Sequence, residues 1–187
     1  MGELKLYMLL LGCRPKGRLT EQHDIFFGIA RELKELIPHI KLSWPEAKGN
    51  VHIDAWREVK QVNEFQIKVV SKTKENSVAP KLFFLNLGGY KPYEFDEFHY
   101  KVLAVATTSG EAIQQAKQTA FYQHTGFKGA TSHIDDKYGI DIDDVYPVAE
   151  ILPGFFKSNY SIQITEQKID AEEDKLHLGY LPLKKII

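Results

Sequence analysis

The chain has 187 residues, of which 43% are hydrophobic and 26% are charged, so it can bury a core and is not a disordered sequence. Its formal net charge of -1 excludes a global positive field that would attract nucleic acid or an anionic membrane. The single cysteine, Cys13, excludes an intramolecular disulfide, and every apolar run is far shorter than the roughly 20 residues of a membrane-spanning helix.

Residues 1–71 are predicted to form a first unit with the order strand, strand, helix, strand, strand. Its first strand is nearly all apolar, which is typical of a central strand covered on both faces. Glycine and proline in the loop that follows permit the chain to reverse. The predicted elements are strands at 4–11 and 22–30, a helix at 31–37 that Pro38 ends, and a hairpin of 51–62 and 65–70 that turns at Asn63-Glu64.

A polar linker at 72–80 precedes a second unit, 81–152, in which the same order of elements is expected. The predicted elements are strands at 81–87 and 98–107, a helix at 110–124 with Ser109 as its N-cap, and a hairpin of 132–142 and 145–152 that turns at Asp143-Asp144. The tail, 153–187, has no duplicate. It contains strand-like segments at 160–165 and 176–183, and we expect it to pack on the repeats.

An internal duplication underlies this division. Residues 6–30 reappear at a shift of 76 as 82–106, with seven identities in 25 aligned positions. A second block matches at a shift of 81, where His52-Ile53-Asp54 returns as His133-Ile134-Asp135. The sequence therefore predicts an α+β fold with two tandem homologous units, mainly antiparallel sheets, a pseudo-twofold relation between the units and a β-rich C-terminal tail.

Several motifs occur together along the chain. They are Gly-Cys-Arg-Pro-Lys-Gly-Arg at 12–18, Glu-Gln-His-Asp at 21–24, Ser-Trp-Pro-Glu-Ala at 43–47, His-Ile-Asp-Ala-Trp-Arg at 52–57 and His-Ile-Asp-Asp-Lys-Tyr-Gly at 133–139. With these motifs the chain resembles the bacterial domain of unknown function 1543 family, in which the domain occurs singly or twice. The resemblance implies a bacterial, cytosolic protein and supplies neither an activity nor a set of catalytic residues.

Polar residues present in both copies are the main candidates for a functional site. They are Glu21 with Glu97, His23 with His99, His52 with His133, and Asp54 with Asp135. Residues two apart on a strand point to the same face, so each pair of a histidine and an acid projects together. If the strands are neighbours, four groups could bind zinc or another divalent ion, or one imidazole could act as a general base. The simpler interpretation, which we place first, is a structural hydrogen bond between histidine and carboxylate.

A second candidate is the basic loop of Arg14, Lys16 and Arg18, which could bind an anion through charge-assisted hydrogen bonds or could be a solvated turn. The sequence has no zinc-protease, P-loop or dinucleotide fingerprint, so no cofactor is indicated. It favours a non-enzymatic tandem module that binds a small anionic ligand or a protein partner in the cytoplasm. A metal-dependent enzyme that uses the histidine and carboxylate clusters is the alternative, and a homodimer through an exposed sheet edge stays open.

Overall fold

The computed structural model describes residues 2–72, 80–90, 93–118, 140–167 and 173–186. They form a mixed α+β fold in which every strand pair is antiparallel, and this confirms the predicted fold class at that level. The chain divides into two compact units, one comprising Met1–Glu75 with Ile151–Ile187 and the other Asn76–Glu150. Among the described residues the first unit contains two sheets and the second contains one, and each unit buries apolar side chains of its own.

The described residues contain ten strands and four α-helical segments. The strands are β1 (Lys5–Cys13), β2 (Gln22–Ala30), β3 (His52–Val59), β4 (Gln61–Val62), β5 (Phe65–Ser71), β6 (Lys81–Tyr90), β7 (Glu97–Ala106), β8 (Ile140–Pro147), β9 (Tyr160–Glu166) and β10 (His177–Pro182). The helices are α1 (Ile37–Ser43), α2 (Ser109–Lys117), α3 (Val148–Ile151) and α4 (Gly154–Asn159), and short 3₁₀ turns lie at Leu33–Leu36, Pro45–Ala47 and Leu183–Lys185. None of the helices in these residues has the length and apolar character needed to cross a membrane.

The main sheet of the first unit has the strand order β10-β3-β1-β2. Its central strand, β1, is apolar because both of its faces are covered, and Leu6, Leu9 and Leu11 are almost fully buried. The 3₁₀ turn and α1 add Leu36 and Ile40, which are completely buried. Each such side chain contributes about 1.5 to 3 kcal/mol through its transfer from water. This core fixes the three adjacent strands that carry the site described below.

The tail supplies strands to the first unit. Strand β9 pairs with β5 from Phe65 opposite Glu166 to Ser71 opposite Tyr160, in a second sheet of order β4-β5-β9. Strand β10 pairs with β3 and forms one edge of the main sheet. The predicted turn at Asn63-Glu64 is confirmed, since β4 and β5 pair across it and Asn63 has a φ of 51°. The predicted hairpin of 51–62 with 65–70 is wrong for most of its length, because only Gln61–Val62 pairs with β5 while β3 pairs with β1 and β10 in the main sheet.

The prediction that Pro38 ends the first helix is wrong. The residues before it form the 3₁₀ turn Leu33–Leu36, and α1 begins at Ile37 with the proline in its first turn. A proline is tolerated there because the first backbone N–H groups of a helix have no intrahelical partner. Pro38 therefore starts the helix that it was expected to stop.

The sheet of the second unit has the order β7-β6-β8, and α2 packs on it. Ala112 and Ala116 of α2 are fully buried against Phe83, Leu85 and Leu87 of β6. The N-cap of α2 is Thr108 and not Ser109 as predicted, because the Thr108 hydroxyl accepts a hydrogen bond from the Glu111 N–H at 3.2 Å. The predicted continuation of this helix to 124 lies partly outside the described residues.

The prediction of a turn at Asp143-Asp144 is also wrong. Both residues lie inside the continuous strand β8, and the segment that follows Pro147 is the helical turn α3. Strand β8 accommodates the two acidic residues because its register against β6 shifts between Asn86 and Leu87, which leaves Asp143 as a bulge residue. The first part of the predicted hairpin, 132–139, lies outside the described residues.

Candidate functional site

Gly12 on the central strand of the first unit marks the centre of the candidate site. It pairs with His23 on β2 and with His52 on β3. Residues paired across an antiparallel sheet project to the same face, so the two imidazoles flank the position where Gly12 has no side chain. The sheet register therefore places two histidines, distant in sequence, on either side of one glycine.

A bulge adds the first carboxylate to this group. The pairing of β1 with β3 passes from Leu10 opposite Ala55 to Leu11 opposite Ile53, which leaves Asp54 without a partner in the ladder. Its carboxylate lies between the two imidazoles: Oδ2 is 3.3 Å from Nε2 of His23, and Oδ1 is 3.3 Å from Nε2 of His52.

Glu21, the last residue of the loop before β2, supplies the second carboxylate. Its Oε1 lies 3.2 Å from Nε2 of His52, and its Oε2 lies 3.7 Å from Nε2 of His23. One potential ligand atom from each of Glu21, His52 and Asp54 falls within 4.8 Å of the others. The structure thus brings together all four polar residues predicted for the first copy.

Burial separates an inner and an outer part of the cluster. His52 is only 8% exposed, and its ring contacts that of Tyr180 on β10 with a centroid separation of 4.5 Å. The side chains of His23 and Glu21 are each 44% exposed. Within the described residues, Nε2 of His52 and Oδ2 of Asp54 are buried and make no hydrogen bond of acceptable geometry, although charged groups lie close to both. Buried polar atoms in this condition are rare in folded proteins.

The absence of a side chain at position 12 is required by this arrangement. A Cβ atom there would stand 2.3 Å from Oδ2 of Asp54 and 2.3 Å from Nε2 of His52. Contacts below 3.0 Å are essentially never found for real Cβ atoms, so any other residue would displace the inner groups. Gly12 therefore makes the space in which these side chains converge.

The set of groups is suited to a metal ion. Zinc binds imidazole nitrogen and carboxylate oxygen at about 2.0 to 2.2 Å, with four protein ligands in structural sites and with three protein ligands and a fourth, exchangeable position in catalytic sites. Glu21, His52 and Asp54 form such a set, and the site lacks a thiolate among its described groups. These ligands fit zinc and similar divalent transition metals better than they fit a soft ion such as Cu(I).

The second unit has a related but different arrangement. Its strands β6 and β7 pair in the register of β1 and β2, so that Gly88 lies opposite His99. Nε2 of His99 is 3.3 Å from Oδ2 of Asp143 and 3.9 Å from Oε2 of Glu97. A Cβ at Gly88 would stand 2.5 Å from Oδ2 of Asp143. Asp143 was not among the predicted site residues.

The sheet register revises the correspondence between the two copies. Gly12 pairs with His52, whereas Gly88 pairs with Asp141, so these strands correspond at a shift of 89 and not at 81. The counterpart of Asp54 is accordingly Asp143. The predicted residues His133 and Asp135 lie outside the described part of the chain. A repeated Ile-Asp pair, at 53–54 and 142–143, is the sequence signal that would have found this alignment.

A lysine in the second unit occupies a position that is apolar in the first. Lys101 on β7 corresponds to Ile25 on β2, and its ammonium group donates a hydrogen bond to the carbonyl of His99 at 3.0 Å. Burial lowers the pKa of Lys101, and the negative charge of Asp143 opposes that effect. The second cluster thus contains a cationic side chain of its own, which the first cluster lacks.

The predicted anion-binding loop lies beside the first cluster in the chain. Arg14, Lys16 and Arg18 are all exposed, and the loop joins Cys13 at the end of β1 to Gln22 at the start of β2. Nε of Arg14 donates to the carbonyl of Arg18 at 3.3 Å. The neighbouring Cys13 is buried, and burial, followed by the charge of Glu21, raises the pKa of its thiol, which opposes a role as a nucleophile.

A separate cavity of about 540 Å³ lies in the first unit, lined in part by Leu11, Asp24, His39, Trp44 and Phe155. Leu11 and Asp24 alternate with Gly12 and His23, so they point to the opposite face of the sheet from the cluster. Its walls are largely aromatic and aliphatic, and it lacks the convergent charged groups found around Gly12. We therefore place the chemistry at the cluster and not in this cavity.

Comparisons with known proteins agree with these observations at the level of family and fold. Residues 18–69 match the family model described as Domain of Unknown Function (DUF1543), which supports the resemblance noted from the motifs. The matched segment contains Glu21, His23, His52 and Asp54. A search of curated proteins finds no significant match.

Among solved structures, the chain is similar to the crystal structure of protein Il1583 from Idiomarina loihiensis. The similarity covers 98% of this chain and 99% of that chain, with a TM-score of 0.60 and 20% sequence identity. At this identity the likeness concerns the fold alone.

Proposed function

We propose that the first unit is a non-enzymatic binding module for a divalent transition-metal cation, with zinc as the reference ion. The observation that carries this proposal is the pair of buried atoms without a hydrogen bond, Nε2 of His52 and Oδ2 of Asp54. A cation bound between them and Glu21 would satisfy both atoms at once. The sequence led us to expect an anionic ligand or a protein partner and placed a metal ion only with the alternative function, so this proposal keeps the binding role but takes its ligand from that alternative.

A purely structural pairing of histidine and carboxylate explains the cluster less well. A structural pair needs one imidazole and one carboxylate joined by a directional hydrogen bond, which would leave no buried atom unpaired. Here Oε1 of Glu21 and Oδ1 of Asp54 approach the same nitrogen of His52, at 3.2 and 3.3 Å, and neither contact has hydrogen-bond geometry. Two carboxylates converging on one nitrogen are the arrangement expected around a cation.

Three protein ligands would leave a tetrahedral zinc one further coordination position, and the half-exposed side chains of His23 and Glu21 border the open side of the cluster. This position keeps a metal-dependent enzyme as the second candidate function, because catalytic zinc sites combine three protein ligands with an exchangeable one. His23, half exposed and 3.3 Å from Oδ2 of Asp54, would be the proton acceptor in that case. A metal bound here would supply its own water as the nucleophile, so both candidate functions require the same metal site. We prefer the binding function because it is the part that both candidates share.

The internal duplication is part of the same proposal. The hairpin registers of β1 with β2 and of β6 with β7 coincide at a shift of 76, and both central strands lose register at equivalent positions. These matches support descent of the two units from one ancestral module. We propose that they are tandem copies with a pseudo-twofold relation and that only the first retained the full ligand set.

Metal titration of the purified protein tests the proposed function. The wild-type protein, stripped with a chelator and dialysed, is expected to bind one zinc ion per chain in calorimetry and to retain it in elemental analysis. Asp54→Asn should weaken binding at least about tenfold to a hundredfold, because an amide is a poorer ligand than a carboxylate. Asp24→Asn is the matched control: it lies on the opposite face of the sheet from the cluster and should bind zinc like the wild type.

Two results would contradict the proposal. One is a folded wild-type protein that binds no stoichiometric zinc, cobalt or nickel at neutral pH. The other is an Asp54→Asn variant that retains the wild-type affinity, since the metal would then be bound elsewhere. Circular dichroism of each variant establishes that a loss of binding does not reflect unfolding.

A further inference from the structure

The loop that closes the β1–β2 hairpin is basic, although it adjoins a cluster that contains two carboxylates. Between the end of β1 at Cys13 and Glu21 it carries three cationic residues, Arg14, Lys16 and Arg18, and no acidic residue. All three are exposed, and Gly17 within the loop has a φ of 87°, which gives the chain its tight reversal. The corresponding loop of the second copy begins Tyr90-Lys91-Pro92, so this charge belongs to the first copy.

The hairpin register places this loop at the proposed metal site. Cys13 opposite Gln22 is the last pair of the hairpin, and Gly12 opposite His23 is the pair before it. Arg14 is two residues from Gly12, which corresponds to about 7 Å along an extended chain. An arginine side chain can span such a distance. Glu21, one of the proposed ligands, is itself the residue that ends the loop.

Arg14 retains hydrogen-bonding capacity. Its Nε–H donates to the carbonyl of Arg18 at 3.3 Å, and its two terminal nitrogens have no hydrogen-bond partner among the described residues. The contact limits the orientation of the guanidinium group while it leaves the terminal N–H donors available. A guanidinium held in this way is well suited to a two-point contact with a carboxylate or a phosphate.

The charge balance of the site favours an anion. A divalent cation bound by Glu21 and Asp54 would form a neutral group, since His52 coordinates in its neutral form. The three cationic side chains of the loop would then give the open side of the site a net positive charge. The half-exposed side chains of Glu21 and His23 show that solvent has access to this side.

We propose that the open coordination position of the metal takes a small oxyanion, a phosphate or a carboxylate, which also accepts hydrogen bonds from Arg14. This inference rests on the metal site proposed above and names the class of ligand that the site recognises. One oxygen of the anion binds the metal, and a second oxygen binds the guanidinium group. Lys16 and Arg18 attract the anion electrostatically but make no hydrogen bond of defined geometry with it.

The test uses the protein loaded with Co²⁺, because the visible absorption of cobalt reports a change in its coordination. Titration with inorganic phosphate, and separately with acetate, is expected to give a saturable spectral change. The arm with the tighter dissociation constant identifies the preferred type of oxyanion. Arg14→Ala should weaken that constant about fivefold to tenfold through loss of a charge-assisted contact. Lys41→Ala, at an exposed position of α1, is the matched control and should leave it unchanged.

The possible failures of the two proposals are distinguishable. If cobalt does not bind, the proposed metal site is wrong, and this inference is wrong with it. If cobalt binds at one ion per chain but neither anion changes the spectrum, the metal site stands and the anion proposal is overturned. It is also overturned if Arg14→Ala binds phosphate and acetate like the wild type, or if the metal-free protein binds the anion equally well.

Discussion

Replacement of Gly12 by alanine is the most direct test of how the fold builds the site. The substitution adds one carbon atom to the centre of the cluster and removes no ligand. That atom would stand 2.3 Å from both Oδ2 of Asp54 and Nε2 of His52. Gly12→Ala therefore tests whether the site depends on the space above the glycine, independently of the chemistry of the ligands.

The size of the effect follows from these distances. A Cβ contact shorter than 3.0 Å is essentially never observed, so each of the two atoms must move by about 0.7 Å or more. Metal–ligand distances tolerate only about 0.2 Å. Displacement of both groups should therefore lower zinc affinity by more than about a hundredfold, or about 2.7 kcal/mol. Crowding should also cost about 1 to 3 kcal/mol in the metal-free protein, unless Asp54 and His52 relax towards solvent.

Thermal unfolding with and without zinc provides the assay, with calorimetry as a direct measure of affinity. At a free zinc concentration one hundred times the dissociation constant, the wild-type protein gains about 2.7 kcal/mol. For a chain of this size that corresponds to an increase in Tm of about 5 to 10 °C. Gly12→Ala should show almost no such increase.

Two other glycines serve as controls. Gly88→Ala introduces a similar clash in the second unit, with Oδ2 of Asp143 at 2.5 Å, and should leave zinc binding unchanged. Gly154→Ala meets no atom within 4 Å; it should leave zinc binding unchanged and, as the first residue of a helix, should raise the stability by at most about 1 kcal/mol. If Gly12→Ala binds zinc as tightly as the wild type, the inner groups are not the ligands and our explanation of the glycine is refuted.

Three further predictions concern the second unit, pH and helix capping. The wild type should bind one zinc ion per chain. Lys101→Ile combined with Asp141→His gives the second unit the residue types found at Ile25 and His52 in the first, and it should bind two ions in elemental analysis; a single ion would show that these two positions do not explain the difference between the units. Glu58→Gln should lower the free energy of unfolding by about 1 kcal/mol at pH 7 in denaturant titrations. The reason is that Oε1 of Glu58 lies 2.7 Å from Nζ of Lys5 and Oε2 lies 2.6 Å from Nζ of Lys60. Burial raises the pKa of Glu58, but the hydrogen bonds from both lysines outweigh it and hold the pKa below its ordinary value. The difference should therefore be full above the ordinary glutamate pKa of about 4.3 and be lost as the pH falls through the lowered pKa, and a difference that stays constant into the acid range would refute it. Thr108→Ala should cost about 1 kcal/mol by removing the N-cap of α2, Thr108→Ser should restore it, and equal melting curves for all three proteins would show that the cap contributes nothing.

The central strands β1 and β6 could be predicted because their apolar runs are long and reach Gly12 and Gly88. The helices were harder to place. Pro38 ends a helix when it follows one and starts a helix when it lies in the first turn, and the local sequence is the same in both cases. The contacts of Leu36 and Ile40 with the sheet, which are tertiary, determine where α1 lies.

The composition of the first cluster could be predicted from the duplication, but its geometry could not. Two histidines and two acids per copy were evident from the sequence. The bulge that places the Asp54 carboxylate between both imidazoles depends on the pairing of β1 with β3, which the sequence does not show. The same effect hid Asp143. Asp143 is followed by a second acid, Asp144, and two adjacent acids indicated a turn. In addition, His52-Ile53-Asp54 matches three residues at 133–135 but only two at 142–143, so the alignment favoured the first match. The alignment with the most identities therefore matches His52 with His133, whereas the observed pairing of the strands matches His52 with Asp141.

The discontinuity of the first unit has a consequence for how the protein is made. Its sheet is completed by β10, whose Tyr180 covers the ring of His52, while the second unit is a continuous stretch that is synthesised earlier. At about 5 to 20 residues per second, roughly 5 to 20 seconds separate the emergence of residue 75 from that of residue 182 on the ribosome. During this interval the imidazole of His52 has no aromatic neighbour from the tail, and the edge of β3 is open. The first unit can therefore complete its main sheet, and place Tyr180 against the ring of His52, only after β10 has been synthesised.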